Sequence, residues 1–77
     1  MTPQAKRINT TVGEPVVLRV SSDTDDELHV HSSPEQTFEV KAGMRDEPVE
    51  ITIDRPGQVA VESHDLGVVV VQLVVEP

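Results

Sequence analysis

Three histidines are the residues of this sequence best equipped to do chemistry. His29 and His31 stand two apart in "DELHVHSS", residues 26–33, fenced by Leu28 and Val30, and His64 lies in "VESHDLG". A neutral imidazole holds a metal ion at about 2.0–2.1 Å. Residues two apart on a strand share a face and are about 6.5–7 Å apart along the chain, so two such rings can lean onto one ion. His64 has the parity of Ala60 and Glu62, which turns it outward as well. If strand 57–63 lies beside strand 26–32, all three imidazoles meet at one end of a sheet. The competing reading is a pair of solvated histidines on the wet side of a strand. His-x-His is common on strands that bind no metal, and nothing in the sequence requires that neighbour.

Other groups of polar residues carry less. Asp23, Asp25, Asp26 and Glu27 offer the oxygen donors a calcium ion takes, but their spacing matches no calcium loop and reads as a solvated turn. Met44 is a thioether able to assist Cu(I), yet a lone methionine in a loop reads as incidental. Ser63, His64 and Asp65 include the residue types of a hydrolytic triad. Neighbours on a strand point to opposite sides, so these three cannot assemble one by themselves. No catalysis is expected. Glu27 and Asp65 are candidates to orient a liganding imidazole from behind.

The elements that must position the histidines are strands. Valine is abundant, apolar residues alternate with polar ones, and no helical period is visible. The pattern predicts strands near 6–11, 14–21, 26–32, 36–41, 47–54, 57–63 and 67–75. Parity turns Val16, Leu18 and Val20 inward, together with Leu28 and Val30, then Val49, Ile51 and Ile53, then Val59 and Val61. In the last strand it turns Val69, Val71, Leu73 and Val75 inward, and the nearly unbroken valines suggest a central strand buried on both faces. "SSDTDDE", "SSPE", "KAGMRDEP" and "DRPG" read as turns. The expectation is an all-β, antiparallel Greek-key β-sandwich of about seven strands.

Composition narrows the classes of function. The 77 residues make one small domain, 1–77, expected to be a piece of a longer protein. A chain of this size buries only about 60% of its unfolded surface, so the core is thin. The absence of cysteine removes disulfides, thiolate ligands and the sulfur that a blue-copper centre needs. A formal charge of −8 argues against nucleic acid, which is held by lysine and arginine, and against docking on an anionic membrane. "VVVVQLVV" is too short to span a bilayer as a helix, which takes about 20 apolar residues. Phe38 is the only aromatic residue, so stacking on bases or sugars has little to work with.

Taken together, "ELHVHSS", "FEVKAG" and "ITIDRPGQVAVESHDLGVVVVQLVV" resemble the cupredoxin-like domains of bacterial secreted or membrane-tethered proteins, over most of the chain from about residue 12. In that family a histidine near the end of one strand meets a ligand loop between the last two strands. Here the matching pattern is Pro56-Gly57, a strand, the loop Ser63-His64-Asp65-Leu66-Gly67, and the last apolar strand. Ser63 stands where a blue-copper member has its cysteine, and no second histidine or methionine follows. The resemblance therefore implies a histidine site without the thiolate, and not an electron carrier. It implies a copper-binding module with His29, His31 and His64 as ligands, zinc as the competing ion, and a periplasmic, cell-surface or secreted location. Ligation needs neutral imidazoles, so affinity should fall at acid pH. The alternative is a metal-free sandwich that serves as an interaction or spacer module of a larger extracellular protein.

Overall fold

Short valine-rich runs with period-2 alternation bury one face and leave the other wet, which is the condition for strands packed on a single core. The computed structural model, which describes residues 1–77, has seven strands and no helix: β1 (Lys6–Thr11), β2 (Val16–Ser22), β3 (Asp26–Val30), β4 (Gln36–Val40), β5 (Met44–Ile51), β6 (Gly57–Ser63) and β7 (Val68–Glu76). The largest departure from the expected bounds is β5, which begins and ends three residues before 47–54. β3 stops at Val30, so His31 stands just past its end.

The strands form two sheets, one of five in the order β1-β7-β6-β3-β4 and one of two, β2-β5. All pairings are antiparallel except that of β1 with β7, which is parallel. The wholly antiparallel expectation fails there. A parallel pair needs a long crossover connection, and here the rest of the chain supplies it. Fourteen buried apolar residues drawn from both sheets make one core, so the architecture is sandwich-like. Val16, Leu18 and Val20 of β2, Leu28 and Val30 of β3, and Val59 and Val61 of β6 all point into it. Pro48 is tolerated inside β5 because that strand has a single neighbour and an open edge that asks for no N–H.

The last strand breaks the expected parity. Val69 is 40% exposed while Val70 is 1% exposed. Val61 pairs with Val71 and Glu62 with Val69, which leaves Val70 as an extra residue in β7. Such a bulge restarts the alternation one residue along. Burial on both faces also fails: β7 is interior to the sheet, but on its outer side Val69, opposite Glu62, is exposed and Gln72 and Val74 are only half-buried.

Candidate functional site

The decisive pairing is that of β3 with β6. They are antiparallel neighbours, with Leu28 opposite Ser63, His29 opposite Glu62 and Val30 opposite Val61. The ladder runs on at both ends, where His31 N–H donates to Ala60 O at 2.9 Å and His64 N–H donates to Glu27 O at 2.9 Å. Alternation then sorts the side chains. Glu27, His29 and His31 on one strand, and Glu62 and His64 on the other, share the outer face, while Leu28, Val30, Val61 and Ser63 face the core. The three histidines are therefore brought together. The His29 and His64 rings stack with centroids 5.0 Å apart and planes inclined by 20°. The His31 ring stands edge-on to His29 at 6.3 Å and 64°.

Glutamates bracket the rings. His29 Nε2 donates to Glu27 Oε1 at 2.6 Å, and His31 Nδ1 donates to Glu35 Oε2 at 3.2 Å. Glu35 Oε1 lies 4.0 Å from His29 Nδ1, and Glu62 Oε1 lies 3.8 Å from His31 Nε2. An ionised carboxylate only accepts, so a neutral ring bonded in this way keeps its lone pair on the other nitrogen. That leaves Nδ1 of His29 and Nε2 of His31 as the donors toward a metal, each with a carboxylate fixing its tautomer from behind. In the conformation described, no three histidine, aspartate or glutamate side chains converge closely enough to hold an ion. Stacked rings offer each other faces rather than lone pairs.

A buried polar contact lies beneath this face. Asp26 is 8% exposed and Ser63 is fully buried. Ser63 Oγ donates to Asp26 Oδ2 at 2.5 Å, while the backbone N–H groups of Asp65 and Glu27 donate to Asp26 Oδ1 at 3.1 and 2.6 Å. Burial pushes the Asp26 carboxyl up. The bonds from Ser63, Asp65 and Glu27, together with the nearby charge of His64, outweigh it and hold the group below its ordinary 3.8. A depressed carboxyl stabilises the fold fully above its unfolded pKa and loses that contribution as pH falls through the folded one. Wild type is thus expected to be more stable than Asp26→Asn at pH 6, with the gap closing below 3.8. Urea denaturation at a series of pH values measures this, and a gap that stays constant down to pH 2 would refute it.

The remaining sequence candidates are dispersed. Asp23 pairs with Arg45 at 2.8 Å, Asp25 accepts from Ala42 N–H at 2.9 Å, and Asp26 is taken up by Ser63. The four-acid group is thus split among separate partners. Met44 sits on the second sheet opposite Ser22, and its sulfur accepts from Lys41 N–H. Asp65 bonds through its backbone to Asp26. Ser63, at the cysteine place of the resemblance, turns into the core and away from the rings. Glu35, Glu62 and the Asp26–Ser63 contact were not anticipated. Parity carried the signal for most of these: Glu62 matches His64, Asp26 matches Leu28, and Ser63 matches Val61.

Fold and cluster together define a small all-β, two-sheet domain with a histidine–glutamate face on its larger sheet. No protein-family model, curated protein or solved structure matches the chain. No helix is long and apolar enough to cross a membrane.

Proposed function

We propose that this domain is a cupredoxin-like, Greek-key metal-binding module that takes Cu(II), with Zn(II) as its competitor, through His29, His31 and His64. Its role is metal handling outside the cytoplasm, without catalysis and without a blue-copper centre. The observation that carries the reading is the gathering of three imidazoles, two of them 35 positions apart (64 − 29), with His29 5.0 Å from His64 and 6.3 Å from His31. Binding on this reading requires the rings to turn about their side-chain bonds, because no three such groups converge in the conformation described. Imidazole with carboxylate is a donor set suited to both ions, and Cu(II) has the higher affinity in the divalent series. When bound, the ion supplies a Lewis-acidic, nitrogen-ligated centre. Glu27 and Glu35 hold the two ring tautomers, and Glu62 adds negative charge.

The test is a titration with Zn(II) and Cu(II), following the histidine ring resonances by NMR and the heat by calorimetry. Joint, saturable perturbation of all three rings at one equivalent is expected. Independent weak responses from each ring would leave the metal-free reading. That second reading has its own support: the His29 and His31 rings are already bonded to glutamates, and Leu66, Val68 and Val69 are exposed on the adjoining turn and strand. A spacer or interaction module would use such a surface without any ion.

A further inference from the structure

We infer that Asp26 is a positioning residue that latches the β6–β7 turn so that His64 lies against His29. The inference deepens the proposed metal site and rests on it for its effect on affinity, but the latch itself concerns the metal-free protein. His64 is exposed and lies just beyond β6, at the start of a four-residue turn, with Val68 beginning the next strand. Its side chain has no hydrogen-bond partner, and the stacking contact with His29 is its aromatic neighbour.

What fixes the turn comes from β3. The Asp26 carboxylate takes the Ser63 hydroxyl with one oxygen and the Asp65 N–H with the other, so it grips the residues on both sides of His64. Ser63 Oγ in turn accepts from Leu66 N–H at 3.2 Å, and Gly67 N–H donates to Ser63 O at 2.9 Å. Gly67 holds the left-handed conformation, φ +65°, that closes such a turn. His64 N–H is bound to Glu27 O, one residue along from Asp26. The chain across the imidazole is thus anchored at Ser63, His64 and Asp65, all to Asp26 and Glu27. A carboxylate is matched to this task, since it accepts all its bonds and donates none. Asparagine has the same shape, but one of its two heads is a donor and cannot receive the Ser63 hydroxyl and the Asp65 N–H at once without rearrangement.

The experiment compares the full chain as wild type, Asp26→Asn and Ser63→Ala, without metal and then with ZnCl2. Proton NMR reads the contact between the His29 and His64 rings through nuclear Overhauser effects and ring-current shifts. The methyl shifts of Val30, Val61 and Leu73 report whether the core is intact. Asp26→Asn is expected to keep the core methyl pattern, lose the His29–His64 ring contact and retain that of His29 with His31. Its Zn(II) affinity should fall about 10- to 100-fold, as for loss of an outer partner at a metal site. Ser63→Ala removes one of the two grips on the turn and is expected to weaken the ring contact in the same direction. A merely destabilising substitution would leave the ring contact unchanged in molecules that remain folded.

An intact ring contact in folded Asp26→Asn overturns the latch, and should that variant not fold, an intact contact in Ser63→Ala overturns it. If wild type takes up no Zn(II) while the variants still lose the ring contact, the latch stands and the metal reading falls.

Discussion

Leu28→Ala is expected to remove a large share of the stability of this domain. Leu28 is fully buried on β3, between Phe38 of β4 and Ser63 of β6. Truncating a buried leucine costs about 2–5 kcal/mol, the larger values applying where the surroundings cannot collapse into the cavity. Collapse is restricted here, because hydrogen-bonded strands flank the residue on both sides. At about 0.05–0.15 kcal/mol per residue, a chain of this length holds roughly 4–12 kcal/mol in total. One methyl-rich side chain therefore accounts for a large share, and thermal and urea unfolding should show a steep drop in midpoint. Val17→Ala is the contrast. Val17 is 51% exposed on the outer face of β2, and its loss should stay within about 0.5 kcal/mol. Leu28→Ala unfolding at nearly the wild-type midpoint would show that the core does not depend on this position.

His29→Ala is expected to weaken Zn(II) and Cu(II) binding by more than about 100-fold, beyond the loss typical of an outer partner, while leaving the fold intact. His29 is the middle member of the trio, next to His64 on one side and His31 on the other. Removing it deletes one donor and separates the remaining two. Its ring lies on the outer face and is only partly buried, and its bond to the half-exposed Glu27 is the kind of surface pair that adds little to stability. Affinity and stability should therefore separate, which they would not if the rings merely filled space. Calorimetric titration beside a urea curve on the same sample reads both quantities. Unchanged metal affinity in His29→Ala would remove the three-imidazole site from consideration.

Much of the fold was legible because period-2 patterning is a local property. Leu28-His29-Val30 states its own two faces, as do Val16 to Val20 and Val59 to Val61, whatever lies beside them. The patterning failed where a non-local event intervened. The bulge at Val70 arises from how β7 meets β6, and no residue in the valine run announces it. β5 began at Met44 rather than residue 47 because pairing with Ser22 of β2, not its own alternation, sets that end. At the site, the outward parity of His29, His31 and His64 was visible. Glu35 was not, because it reaches His31 across a turn whose shape the sequence does not declare.

Asp26 shows the same division in one residue. Its composition placed it with Asp23 and Asp25 in a polar turn, whereas its parity placed it with Leu28 and Val30. Parity prevailed, because Ser63 and the Asp65 N–H were there to receive the carboxylate, and a buried charge is tolerated only with such partners.

The amino-acid sequence alone determined that this chain forms strands, which side of each strand is apolar, that no thiolate takes part, and that three imidazoles point toward water. Side-chain alternation and composition are written residue by residue and need no partner. Only the tertiary structure decided that β6 lies beside β3 and so set His64 against His29, that three glutamates share their face, and that an aspartate and a serine join beneath it. Those outcomes depend on which strands become neighbours and in what register, and that choice is made by the packing of the whole core.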